Sequence, residues 1–291
     1  MSEPLTNRLF DACREGDIRS IIELLEQFGA SNSVDYTVGS DSSGRTMLMH
    51  ACEAPDTGAA WLLLERGAEL EHRDSLGKTP MFIAATKGRD DLIRLFAERG
   101  GMVDSRDRDQ WTPMIAAAWN GRSDAIAALI EHGADVNAVD DQRMSAIMYA
   151  ALAGHSESVD LLIDSGADCS LVSNDGTTAL MYAAMSAKDR IVRSVVSRLD
   201  CANDLSVSDK FGNRAIHHAV SADPKEGKAL SIAFFLELGE DPDGKLPDGT
   251  AYADYLKGDP ECLSVLQVFR NRRALQGVFP ACSRDGASLK P

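Results

Sequence analysis

Residues 111–138 read WTPMIAAAWNGRSDAIAALIEHGADVNA. The Thr-Pro pair at 112–113 marks a helix start. The threonine hydroxyl accepts a free backbone N–H there, and proline at the first helical position has a preset φ and no N–H left over. The Ala-rich run that follows predicts a short helix of little bulk, ended by the Asn-Gly turn at 120–121. Ile126, Leu129 and Ile130 are spaced to line one face of a second helix. Gly133 stands where a left-handed residue ends such a helix. Two short helices cannot enclose a core by themselves, so the stretch predicts a unit that must pack against others like it.

The rest of the chain supplies those others. Thr46 in GRTMLMHAC, Thr79 in GKTPMFIAA, Thr112 in QWTPMIAAA, Ser145 in RMSAIMYAA and Thr178 in GTTALMYAA follow one another at a constant step of 33 residues. A leading unit, NRLFDACREGD, precedes the series. FGNRAIHHA and DGTAYADYL continue it less regularly, with Arg214 in place of the capping threonine. Gly67, Gly133 and Gly166 end second helices, and Gly88 and Gly121 break the chain between paired helices. Ser145-Ala146 and Thr178-Ala179 lack the proline but keep a hydroxyl for the cap.

The recurring D-x-x-G-x-T-P-L-x-x-A-A…L-L-x-x-G-A-D-V-N pattern resembles the ankyrin repeat over roughly residues 5–276. The resemblance implies an all-α solenoid of about seven to eight helix-turn-helix units with β-hairpin-like fingers. First helices line a concave face and second helices form the back. The domain is expected over 1–276, with units near 5–40, 41–73, 74–106, 107–139, 140–172, 173–208 and 209–245, and 246–276 as a cap. Residues 29–43 read as a loop insertion, 221–228 as a second insertion, and 277–291 as a flexible tail.

Composition narrows the partners. The chain has 291 residues and a formal net charge of −15. Such a surface repels phosphates and anionic lipids, which argues against nucleic acid and membranes and for a protein partner with a basic surface. Cys13, Cys52, Cys169, Cys201, Cys262 and Cys282 are scattered, with no C-x-x-C pair. Most sit in Ala-rich helical surroundings, where a free thiol acts as a small apolar group. That pattern predicts reduced thiols and a cytoplasmic, or nuclear, location. The amino-terminal residues lack the features of a signal peptide, and no apolar run has the length of a membrane span. No catalytic or metal motif stands out, so neither an enzyme nor a cofactor is expected. His217 and His218 point apart on a helix, and DPDGKLPDG at 241–249 lacks the terminal glutamate of a calcium loop.

Ankyrin domains resemble one another in making contacts through non-consensus positions at the finger tips and on the exposed side of the first helix. Carried onto this chain, those positions are Leu76, Lys78 and Lys87; then Arg108, Asp109, Trp111, Trp119 and Asn120; then Asp141, Gln142, Met144 and Leu152. Trp111, Trp119, Met144 and Leu152 are expected to be neighbours and to anchor a partner, because tryptophan is over-represented among energetic anchors. Trp61, in a second helix, is expected to pack on the back. The finger acids Asp74, Asp107, Asp109, Asp140, Asp141, Asp175 and Asp209 are read first as turn residues bonding their own backbone. Arg270, Arg272 and Arg273 read as offsetting a helix dipole. The leading function is a protein–protein interaction scaffold, monomeric outside its complex. The alternatives are a secreted bacterial or parasite effector that binds a host protein, and an enzymatic or ligand-binding role within 187–276.

Overall fold

The side chains of Thr46, Thr79, Thr112 and Thr178 each accept the backbone N–H three residues on, at 3.3–3.4 Å. These four caps set the phase of the whole chain. The computed structural model describes residues 3–27, 40–198, 205–223 and 227–278. Most of the expected 29–43 insertion, Cys201, Cys282 and residues 279–291 lie outside them.

Among the described residues the helices come in eight pairs: α1 (Glu3–Glu15) with α2 (Ile18–Gln27), α3 (Met47–Ala51) with α4 (Gly58–Glu65), α5 (Pro80–Lys87) with α6 (Asp90–Glu98), and α7 (Pro113–Trp119) with α8 (Ser123–Glu131). The series continues with α9 (Ala146–Ala153) and α10 (Ser156–Asp164), α11 (Ala179–Met185) and α12 (Asp189–Val196), α13 (Ala215–Ser221) and α14 (Lys228–Glu237), and α15 (Tyr252–Tyr255) with α16 (Pro260–Val278). First helices α1 to α13 pack on one another in sequence order, and second helices α6 to α14 do the same, giving two parallel layers. A single apolar cluster runs from Leu9 to Leu266 between the layers. The all-α solenoid expected from the repeat is therefore the observed fold.

The fingers connect the pairs. In each, an N–H bonds to the carbonyl four residues later, as from Asp74 to Lys78 at 3.0 Å and from Asp140 to Met144 at 3.1 Å. Single antiparallel bridges, Val139 with Ser145, Val172 with Thr178 and Lys245 with Ala251, close three of them. Neighbouring fingers are stitched together by backbone bonds that recur with the repeat. Ser75 N–H donates to Ser43 O at 2.9 Å, Arg108 to Leu76 at 3.0 Å, Asp141 to Asp109 at 3.4 Å and Asn174 to Gln142 at 2.9 Å.

Several details differ from expectation. The Ser145 hydroxyl is buried and makes no hydrogen bond; Met148 N–H turns to the Ser145 carbonyl at 3.1 Å instead. Arg214 has no capping oxygen, yet its N–H is received by His217 Nδ1 at 3.2 Å. Trp61 is 50% exposed on α4 and is not packed away. Arg270 and Arg273 sit within α16, not at its end. Arg270 pairs with Asp243 at 2.7 Å and Arg273 with Asp241, tying the last finger to the last helix rather than offsetting a dipole. The backbone of α16 reaches Val278, inside the stretch expected to be a tail.

Candidate binding surface

Because the step between units is constant, equivalent positions form ladders along the first-helix side. One ladder runs along the residue before each capping position: Arg45, Lys78, Trp111, Met144 and Thr177. A second runs along the end of each first helix: Glu53, Thr86, Trp119, Leu152 and Met185. The expected set of Trp111, Trp119, Met144 and Leu152 thus occupies two ladders in adjacent units.

Tyr149, on α9, joins them. Its ring lies 4.5 Å from that of Trp111, centroid to centroid and tilted, and 5.8 Å from that of Trp119 in an edge-on arrangement. Both geometries are favourable for aromatic pairs. The Tyr149 hydroxyl donates to Asp140 Oδ2 at 2.6 Å. Burial, with the carboxylate beside it, pushes the phenol well above its ordinary value. One finger further, Tyr182 donates to Met144 Sδ at 3.5 Å. Trp111 is half-buried in this cluster, while Trp119 keeps 41% of its surface exposed. Leu152 is half-buried, and the Asn120 amide turns back to Ala116 O at 2.8 Å. Sequence reasoning missed Tyr149. The signal was present, because His50, Tyr149 and His218 each stand nine residues after a finger aspartate and each bonds to it, with Asp41, Asp140 and Asp209 respectively.

At the finger tips Arg108, Asp109, Asp141 and Gln142 are exposed, and Leu76 is 55% exposed. Their backbones carry the finger-to-finger bonds and their side chains are left to solvent. Gln110 and Arg143 adopt left-handed conformations, φ 63° and 58°, at the turn position where Gly44, Gly77, Gly176 and Gly212 stand in other fingers. A side chain in that region costs about 1–2 kcal/mol, and such costs collect at functional places. The departure from glycine is visible in the sequence as Gln110 and Arg143 at the step of 33 residues.

The finger acids divide into two kinds. Asp74, Asp107, Asp140 and Asp209 are buried, and each receives two backbone N–H groups of its own turn. These four are turn builders. Desolvation lifts the Asp107 carboxyl above its usual range. Asp109, Asp141 and Asp175 are exposed, Asp175 in an ion pair with Lys210.

Towards the amino-terminal units the same side becomes charged. Lys78 Nζ lies 5.1 Å above the Phe82 ring. Lys87 pairs with Glu53 at 3.1 Å, and Glu53 also holds Arg14 at 3.5 Å and Arg45 at 3.4 Å. Burial works to raise the Glu53 carboxyl, but the bond from Lys87 and the charges of Lys87 and Arg45 outweigh it and hold the group below its ordinary range. Beside this hub His50 is buried, with Nδ1 facing Arg14 at 3.3 Å and Nε2 facing Asp41 at 3.1 Å. Arginine only donates, so Nδ1 accepts and Nε2–H donates, which is the neutral imidazole. Desolvation lowers its basicity accordingly.

Among the described residues no group of three or more His, Cys, Asp or Glu is placed to hold a metal ion, and no helix is long and apolar enough to cross a membrane. Cys13, Cys52, Cys169 and Cys262 are buried and held in no disulfide; burial pushes the thiols of Cys13, Cys52 and Cys262 up to about 12, far from the thiolate state. His155 donates through Nε2 to Trp119 O at 3.1 Å, a structural bond between units.

Comparison with known proteins agrees with this architecture. No curated protein matches the chain. A family model described as Ankyrin repeats (3 copies) matches residues 58–140 and 147–245, and another, Ankyrin repeats (many copies), matches residues 124–163. With threonine-capped helix pairs at a step of 33 residues, bonded finger to finger and matched over more than half its length, the chain belongs to the ankyrin-repeat family.

Proposed function

We propose that the chain is a protein-binding scaffold that holds its partner on the first-helix side and finger tips of the units spanning residues 74–173. Ankyrin repeats are generally protein–protein interaction modules, and the family is typically non-enzymatic. The observation that carries the narrower reading is the Trp111–Tyr149–Trp119 cluster, in which one indole stays 41% exposed although the fold does not require it there. Large aromatics held rigidly at a surface lose little entropy when a partner docks on them. Tyr149 supplies that rigidity by bonding to Asp140 below the cluster. Gln110, Arg143 and the exposed tips Leu76, Arg108, Asp109, Asp141 and Gln142 form the rim of the same surface. Lys78, Lys87, Asn120, Met144 and Leu152 extend it along the ladders. The scaffold acts as a monomer outside its complex and works in the cytoplasm or nucleus. The net negative charge of the chain favours a partner with a basic surface.

The two tryptophans separate binding from packing. Trp119→Ala is expected to weaken capture of a protein partner, by about tenfold or more for an anchor residue, and to leave the thermal midpoint nearly unchanged. Trp111→Ala is expected to lower the midpoint as well, because it removes a half-buried ring from Tyr149. Affinity purification with the wild-type chain and each variant, read by quantitative mass spectrometry beside thermal melts, checks both. A partner retained in full by Trp119→Ala assigns that side chain to the fold alone.

A further inference from the structure

The charge of the whole chain and the charge of its finger side point to different partners. Helices α6, α8 and α10 carry eight carboxylates between them and one arginine, Arg94. Asp90, Asp91, Glu131, Asp160 and Asp164 are paired with arginines, and these three helices still carry a net negative charge on the second-helix side. On the first-helix side the ladders change character along the stack: Arg45 and Lys78 give way to Trp111 and Met144, and Glu53 and Thr86 give way to Trp119 and Leu152. Glu53, the carboxylate in these ladders, is already shared by three cations. Asp74 and Asp107, four residues before Lys78 and Trp111, are buried in their own turns, while Asp109 and Asp141 are exposed at the neighbouring finger tips. Lys87 remains 46% exposed, and Arg108 is exposed on the next finger. An aromatic-apolar patch in the fourth and fifth helix pairs thus borders a cationic patch in the second and third.

We propose that this surface takes an extended acidic–apolar segment of a partner protein, an apolar side chain seating on Trp119 and Leu152 and carboxylates meeting Lys87 and Lys78. The proposal rests on reading the first-helix side as the binding surface. Packed helices lie about 10 Å apart, and an extended chain advances about 3.3 Å per residue. A carboxylate and the apolar anchor therefore stand about three residues apart in the segment. The acidic second-helix side disfavours the same segment there, so like charge steers it to the finger side.

The test uses the full chain and labelled peptides with a central leucine or tryptophan and, about three residues to either side, glutamate, glutamine or lysine. Fluorescence anisotropy reads affinity at low and high salt. The glutamate series is expected to bind about fivefold tighter than the glutamine series, as two exposed charge pairs supply, with the lysine series weakest. High salt is expected to shrink the difference. Lys78→Gln with Lys87→Gln is expected to erase the preference with only a small change in the melt, as the loss of an exposed ion pair allows, while Trp119→Ala weakens all three series. Equal affinities, or a lysine preference, with dependence on Trp119 retained would overturn the acidic segment and leave the binding surface standing. Binding indifferent to Trp119→Ala, or no binding by any series, would overturn both.

Discussion

Ser145 and Thr112 occupy the same place in successive helix pairs, yet their hydroxyls do different things. Thr112 receives Ile115 N–H at 3.3 Å, whereas the buried Ser145 oxygen has no partner. An N-cap hydroxyl contributes about 1 kcal/mol, and a buried hydroxyl left unbonded contributes nothing and carries its desolvation cost. Thr112→Ala is therefore expected to lower unfolding free energy by about 1 kcal/mol, and Ser145→Ala to be neutral or slightly stabilising. Urea denaturation of the two variants measures the contrast, and equal losses would mean that the serine caps in solution. The sequence placed both residues correctly at helix starts, because capping is local chemistry. It did not separate them, because hydroxyl direction depends on surroundings that residue type does not encode. Tyr149 escaped for a related reason: its bond to Asp140 and its contacts with Trp111 and Trp119 span a finger and two helix pairs, so the tyrosine reads locally as one more apolar helix residue.

Between the helices of each pair lies a turn that the next pair covers. His155 lies over Gly121, where an added Cβ would come within 2.5 Å of its Nδ1, and Gly121 has φ 65°. Gly133 ends α8 at φ 83°, and an added Cβ there would meet nothing within 4 Å. Gly133→Ala thus bears only the left-handed cost of about 1–2 kcal/mol. Gly121→Ala bears that cost and also displaces His155 from Trp119 O. The second variant is expected to lose clearly more stability in urea than the first, and matching losses would remove His155 from the account of how pairs lock together. These elements were legible because glycine at a constant step marks the same turn each time. The long α16 was not. It is held through Arg270 and Arg273 to Asp243 and Asp241 and through Leu266 in the core, none of which follows the repeat.

A stack in which each pair touches its neighbours has stability that is nearly a sum of unit and interface contributions, so its ends and its weakest caps open first. Pairs α5 to α10 carry proline-started or alanine-rich first helices, bonded fingers and covered turns. Towards the carboxyl end, α13 starts at Arg214 without a capping oxygen, α15 is four residues long with no side-chain cap, and Ala187 takes φ 54° where Gly88, Gly121 and Gly154 stand in earlier pairs. Each missing cap removes about 1 kcal/mol, and a side chain in the left-handed region removes a similar amount. Native-state hydrogen exchange is therefore expected to find the amides of the threonine-capped, proline-started α5 and α7 the slowest, with those of α13 and α15 faster by at least about tenfold. Ala187→Gly should narrow the gap by slowing exchange in α11 and α13 while leaving α7 unchanged. Uniform protection from α3 to α14 would mean that the apolar spine couples all pairs into one cooperative unit. A partner on the central units would then stabilise the whole stack, whereas graded protection confines its effect to α5–α10 and their immediate neighbours.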